Sequence, residues 1–236
     1  MDQSDYSFTP IEIEGPVSAL IAFPNDVIQS AGKSKEFYRH FFGLLPDQTH
    51  SLNVRVVENR REPMEDTDAL ITFKEDLAIG VVTADCVPIL IYAPDVRGVA
   101  VVHAGWKGTL GGIIDNTIDA LKKYGANAEN MIVKFGPSIS AENYEVSHEL
   151  ANLFIDGGYS DKVSWPNGKE QRPHLDLQGV NITRMIRKGV KSENISPYPK
   201  CTFGEKRKDE GAMFPSYRRD GEQASRLYTG IMLLKR

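Results

Sequence analysis

Cysteine is scarce in this chain: its 236 residues include two, Cys86 and Cys201. A framework of several disulfides is therefore excluded, and a finger-type zinc knuckle built on Cys-x2-Cys pairs is disfavoured. Long apolar runs are also lacking. None approaches the roughly 18–20 residues that span a bilayer, so no membrane partner is expected. Strong charge of one sign is missing as well. The net charge is −4, which provides no cationic field for a general nucleic-acid binder. The first residues, Met1-Asp-Gln-Ser-Asp, are polar and acidic, where a secretory leader would be basic and then apolar. With both thiols reduced, the expected location is the cytoplasm. The sequence shows no internal repeat and no low-complexity segment.

What is present is an ordinary globular balance, 41% hydrophobic and 25% charged, enough to build a core without staples. Nothing marks a domain boundary, so residues 1–236 read as a single domain. Strands are expected at Phe8–Ile13, Ala19–Phe23, Leu52–Val57 and Ala69–Phe73. Leu77–Thr83, Ile89–Ala93 and Val99–Val102 are continuous apolar runs, the pattern of strands buried on both faces. A helix is expected over Lys33–Phe42. After residue 109 the period changes. Leu110, Ile113, Ile114, Ile118 and Leu121 recur at helical spacing, with Thr109 as a candidate N-cap and Gly125 as a stop. Met131–Phe135 returns to strand, Val146–Ile155 and Leu177–Val190 read as amphipathic helices, and Leu227–Leu234 is a last strand. Intermixed strands and helices favour an α+β domain of packed sheets covered by helices.

Three reactive side chains fall at strand ends. Cys86 lies in Val81-Val-Thr-Ala-Asp-Cys-Val-Pro-Ile-Leu90. His103 lies in Val101-Val-His-Ala-Gly-Trp-Lys-Gly-Thr-Leu-Gly-Gly112, and His50 precedes the strand that starts at Leu52. Two imidazoles and a thiolate make three ligands for a zinc-like ion and leave a fourth position open, as catalytic zinc sites do. The bland alternative is packing, since a lone His or buried Cys is usually structural. Asp85 places a carboxylate beside the candidate thiolate. Gly105–Gly112 reads either as an anion-binding turn, with Lys107 adding charge, or as a tight strand-to-helix connection. It does not match a P-loop, because Lys107 precedes Gly108. Phe135-Gly-Pro-Ser-Ile-Ser140 and Phe214-Pro-Ser-Tyr-Arg-Arg-Asp-Gly221 read as pocket walls or as structural turns. His40, His148 and His174 have no companion ligand.

The motifs Thr83-Ala-Asp-Cys-Val-Pro88, Val102-His-Ala-Gly-Trp-Lys-Gly108, Gly136-Pro-Ser-Ile139 with Tyr144-Glu-Val146, and Phe214–Gly221 together resemble the laccase-domain family. Its bacterial members are labelled polyphenol oxidase or peptidoglycan editing factor, and a mammalian relative is a multifunctional purine nucleoside enzyme. The resemblance runs from about Gln48 to the end. It implies a single-domain α/β/β/α sandwich with mixed sheets, and a zinc ion held by His50, Cys86 and His103. It also implies phosphorolysis of adenosine, inosine, guanosine and methylthioadenosine, with adenosine deamination at the same site. The partners would be a small-molecule nucleoside and phosphate. Two departures stand out. Ser140 and Glu142-Asn143 replace a glycine and two cysteines that relatives carry, and Asn25–Gly43 matches poorly.

On that reading Asp85 is a candidate proton shuttle. Gln48, Lys107, Gly108, Ser138, Arg218 and Arg219 are candidate substrate contacts. A copper-dependent phenol oxidase is the competing enzyme, but five histidines and no His-x-His pair suit a multicopper site poorly. An amidase-like enzyme editing a cell-wall precursor and a non-catalytic metal-binding protein are further alternatives.

Overall fold

The computed structural model describes residues 6–24, 43–208 and 210–235. Its centre is an antiparallel pair, β6 (Val87–Ala93) and β7 (Gly98–Ala104), buried at every position. Val87 stands opposite Ala104, and Pro88 opposite His103. Around the pair lie β3 (Val54–Val56), β4 (Ala69–Thr72), β8 (Ile132–Phe135) and β11 (Ile195–Ser196). They form a mixed sheet in the order β11-β8-β6-β7-β4-β3.

The second sheet is antiparallel. It has the order β1-β2-β12-β5, with β1 at Tyr6–Ile11, β2 at Val17–Pro24, β5 at Ile79–Thr83 and β12 at Leu227–Leu233. A short hairpin of β9 (Val163–Ser164) and β10 (His174–Leu175) stands apart.

The alternation of β6 and β7 explains why their sequences are uniformly apolar. Ile89, Ile91, Ala100 and Val102 join the core that contains the helices. Their neighbours Leu90, Tyr92, Val99 and Val101 pack with Ile79, Val81, Ile231 and Leu233 of the second sheet. Both faces are covered, so no polar face is needed. Helices, six-stranded sheet and four-stranded sheet form successive layers, the α+β sandwich expected from the sequence. Among the described residues no helix is long and apolar enough to cross a membrane.

The helices follow local caps. α1 (Trp106–Gly111) starts directly off β7, with extended Gly105 as its N-cap. Gly112, at φ 92°, ends α1 and begins α2 (Ile113–Lys123). This corrects the expectation for Thr109. It is buried inside α1, where its hydroxyl accepts from Asn181 Nδ2 at 3.0 Å, because the helix already begins at Trp106, straight off extended Gly105. Gly125, at φ 98°, follows the end of α2 as expected. α3 (His148–Asp156) is capped by Ser147, whose Oγ accepts from Leu150 N. α4 (Leu177–Arg187) is capped by Asp176, which accepts from Gly179 N. α4 lies within the stretch expected and α3 runs one residue past its own, to Asp156, with starts fixed by these side chains. α5 (Tyr217–Asp220) is a single turn near the C-terminus. The helix expected over Lys33–Phe42, with His40, lies outside the described residues.

The connection from β5 to β6 joins the two sheets. β5 ends at Thr83 in one sheet, and β6 begins at Val87 in the other. The chain crosses between them in three residues, Ala84-Asp85-Cys86, at the same edge where β7 ends.

Candidate metal centre and its cavity

His50, Cys86 and His103 converge at that edge. Their candidate ligand atoms all lie within 4.8 Å of one another, and among the described residues they are the one group of three such side chains. Cys86 Sγ lies 3.7 Å from His50 Nε2. Tetrahedral bonds of zinc length place sulfur and nitrogen about 3.5 Å apart, so the spacing suits one shared ion. The two imidazoles meet edge to face, with centroids 4.8 Å apart.

Each ligand is held by its own element. His103 is the penultimate residue of β7. Cys86 ends the crossing turn. His50 sits in the loop before β3, at φ 62°, a left-handed conformation that is uncommon for residues with a Cβ, though histidine adopts it more readily than most. Gly105 closes the group from behind. A Cβ there would meet His50 Cδ2 at 2.5 Å and Cys86 Sγ at 3.1 Å. Its φ of −73° is open to any residue, so space rather than backbone conformation requires glycine.

Asp68 organises the ligands and was not singled out in the sequence. It is fully buried. Its Oδ1 accepts from His103 Nδ1 at 2.6 Å and from His50 N at 3.1 Å. Its Oδ2 accepts from Thr49 N at 3.1 Å, from Ser51 N at 2.6 Å and from Ser51 Oγ at 2.8 Å. Three successive backbone N–H groups thus wrap one carboxylate, an anion nest. The Nδ1 contact leaves Nε2 of His103 as the ligand atom, the usual arrangement behind a metal-bound histidine. The signal in the sequence is an acidic residue directly ahead of a short, mostly apolar strand.

Electrostatics agree with this geometry. Burial opposes the Cys86 thiolate, but the charge and hydrogen bond of His103, with those of His50, pull the thiol down to about 6. Burial also opposes the His103 imidazolium. The Cys86 thiolate and the Asp68 carboxylate outweigh it and push His103 up to about 9. Burial opposes the Asp68 carboxylate too, yet hydrogen bonds from His103 and Ser51 hold it well below the usual carboxylate range.

The group lies on the wall of a cavity of about 680 Å³, within the size range of small-molecule sites. Ile139, Leu177, Trp106 and Tyr144 give it apolar and aromatic surface, with Tyr217, Arg218 and Arg226 also on its lining. Burial and the Cys86 thiolate push the Tyr144 phenol up to about 12, so it remains a hydrogen-bond donor at neutral pH. Arg218 stacks over the Tyr144 ring at 5.3 Å and donates from Nη2 to Glu145 O.

The candidates from the sequence divide into two sets. Gln48, Asp85, Arg218 and the three ligands line the cavity. Gln48 uses its amide on the backbone of Val82, donating to O at 2.8 Å and accepting from N at 3.0 Å, which fastens the His50 loop to β5. Both Asp85 oxygens accept hydrogen bonds, from Thr202, Ser216 and Arg218.

Lys107, Gly108, Ser138 and Arg219 are absent from the lining. Lys107 is exposed on α1 with its amine over the Trp106 ring. Gly108 is buried within that helix. Ser138 is fully buried, one residue ahead of the lining residue Ile139. Arg219 turns into its own loop, pairing with Asp220 and donating to Phe214 O. The glycine-rich stretch is therefore the tight strand-to-helix connection, one of the two readings its sequence allowed. Trp106 and Arg226 are lining residues that no motif had assigned a role.

Residues 34–234 match the family described as multi-copper polyphenol oxidoreductase laccase. The chain is 32% identical over 198 residues to a protein from an unknown prokaryotic organism named adenosine deaminase RL5, covering 80% of this chain and 74% of that one. It is 32% identical over 203 residues to a protein of Bacteroides thetaiotaomicron named purine nucleoside phosphorylase, covering 81% and 73%. A crystal structure of a Neisseria meningitidis protein superposes with a TM-score of 0.79 at 26% identity, covering 97% of this chain and 99% of that one.

Three outcomes are expected from the geometry. Gly105→Ala should leave the fold intact and lower metal affinity by about tenfold or more, because the new methyl displaces His50 and Cys86. Competition with a chromogenic chelator reads this, and unchanged affinity would contradict the crowding. Asp68→Asn should lower metal affinity about 10–100-fold, measured the same way. Third, His103 of the metal-free protein carries a proton below about pH 9, and metal binding must expel it. Affinity should therefore rise with pH from neutrality towards 9, with about one proton released from His103 per ion near pH 7.5. Calorimetry in buffers of different ionisation enthalpy counts that proton.

Proposed function

This chain belongs to the family described as multi-copper polyphenol oxidoreductase laccase, and we propose that it is a metal-dependent enzyme acting on purine nucleosides. Its reactions would be phosphorolysis of adenosine, inosine and guanosine, with methylthioadenosine as a further substrate, and deamination of adenosine. The observation that carries this reading is the placement of three metal ligands on the wall of a cavity that also offers aromatic surface and a cation. The names of the relatives point the same way.

His50, Cys86 and His103 would hold the ion, and zinc is the ion that two imidazoles and a thiolate suit. When bound, it supplies a water of lowered pKa and a Lewis acid. Asp68 keeps His103 in the tautomer whose Nε2 is a ligand. Ile139, Leu177 and Trp106 provide the apolar wall a purine needs. Tyr144, protonated at neutral pH, donates a hydrogen bond to substrate. Arg218 holds phosphate, with Arg226 adding positive charge at the lining. Lys107, Gly108, Ser138 and Arg219 drop out of the substrate set, because they do not reach the cavity.

In phosphorolysis, a phosphate oxygen attacks the anomeric carbon as the carbon–nitrogen bond to the base breaks. In deamination, water replaces the amino group of adenosine and ammonia leaves. Both need the same base pocket, and only the first needs the anion subsite. Oxidation by a cluster of coppers is disfavoured, because the described residues hold a single three-ligand group. Protein purified without added copper should carry one zinc per chain.

The test is a nucleoside panel with and without phosphate, on protein of known metal content. Inosine with phosphate should yield hypoxanthine and ribose 1-phosphate, and adenosine alone should yield inosine and ammonia. Arg218→Gln should raise the KM for phosphate about tenfold or more, the loss of a charge-assisted hydrogen bond worth about 1.5–3 kcal/mol. Adenosine deamination should change far less. Metal-loaded protein that turns over no nucleoside would overturn the proposal.

A further inference from the structure

Asp85 stands where a catalytic carboxylate would be expected, beside Cys86 on the cavity lining. Its surroundings assign it another task. Oδ1 accepts from Thr202 Oγ1 at 2.6 Å. Oδ2 accepts from Ser216 Oγ at 3.0 Å and from Arg218 N at 2.6 Å. Thr202 and Ser216 are fully buried, and Asp85 is 8% exposed. The three donors lie 117, 131 and 133 positions further along the chain. Asp85 also binds the cavity wall through its main chain, since its carbonyl accepts from Ile139 N at 3.0 Å.

The receiving segment needs such an anchor. α5 has four residues, too few to be stable alone. Ser216 Oγ accepts from Arg219 N at 3.3 Å, and the Asp85 carboxylate takes the neighbouring N–H of Arg218. The first turn of α5 is thus capped partly by a side chain from the crossing turn. Asp85 itself sits at φ 83°, a conformation that costs energy for a residue with a Cβ and is held in place by surrounding structure.

We propose that Asp85 is a positioning residue whose carboxylate fastens the Arg218 segment to the turn carrying Cys86, and so fixes the anion subsite relative to the metal ligands. The inference rests on the proposed nucleoside activity for the identity of the anion. Three of the roughly four acceptor sites of this carboxylate are taken by protein donors, and swinging it out towards substrate would strand the buried hydroxyls of Thr202 and Ser216. The latch needs acceptors at that place, and negative charge is secondary.

Two substitutions separate these roles. Asp85→Asn keeps the latch: its Oδ1 can accept from Ser216 and Arg218, its amide can donate to Thr202, and asparagine tolerates the left-handed backbone. Asp85→Gly removes the latch without adding backbone strain. Asp85→Asn should retain turnover within about fivefold and a near-native KM for phosphate. Asp85→Gly should lower kcat/KM for phosphorolysis by up to about 10²-fold, as misplaced binding groups do, mostly through the KM for phosphate.

Amide exchange measured on the same proteins should speed up across residues 201–208 and 214–220 in Asp85→Gly and stay native in Asp85→Asn, with metal content unchanged in both. If Asp85→Gly does not fold, the double variant Thr202→Val, Ser216→Ala opens the latch from the other side and should show the same exchange. Asp85→Asn as inactive as Asp85→Gly, with native exchange, would overturn the inference in favour of proton transfer. Native exchange in the latch-deleted protein would overturn it outright. If wild-type protein turned over no nucleoside, the proposed function would fall, and the exchange comparison would still decide the latch.

Discussion

The hydrogen bonds of the Asp68 carboxylate are the constraint on which the site depends. An ionised carboxylate buried without partners costs several kcal/mol even after relaxation. Asp68 is fully buried and escapes that cost by taking donors from Thr49, His50, Ser51 and His103. The same bonds that satisfy the charge bend the His50 loop into its left-handed turn and fix the ring of His103. Two of the three candidate ligands are thereby set by one residue outside the ligand group.

The third ligand depends on the sandwich. A three-residue crossing from β5 to β6 leaves Cys86 little freedom, and the pairing of β6 with β7 puts it beside Gly105. Asp85 in the same turn carries the order outward to Thr202, Ser216 and Arg218. The two carboxylates act in parallel: Asp68 gathers the metal ligands, and Asp85 joins them to the cation at the cavity. Gln48 adds a third fastening, between the His50 loop and β5.

The sequence made part of this legible. Cys86 and His103 stood out because their flanking residues are unusual and local, and β6 and β7 because strands buried on both faces read as unbroken apolar runs. The layered α+β architecture followed from the order of those periods. Asp68 was hidden, because an aspartate ahead of a strand looks like any turn residue until the fold brings His103 onto it. Lys107 and Gly108 lie off the cavity lining, and their sequence could not place them, because glycines that allow an anion-binding loop equally allow a helix to start hard against a strand. Arg218 and Arg219 are neighbours in sequence, and only the single turn of α5 decides which one lines the cavity.

The geometry calls for one ion held by a thiolate and two imidazoles, with a coordination position open to the cavity. X-ray absorption at the metal edge of the loaded protein measures that shell directly. The prediction is one sulfur near 2.3 Å, two imidazole nitrogens near 2.0–2.1 Å and about one further light atom. A shell without sulfur, or one closed by a fourth protein side chain, would contradict it.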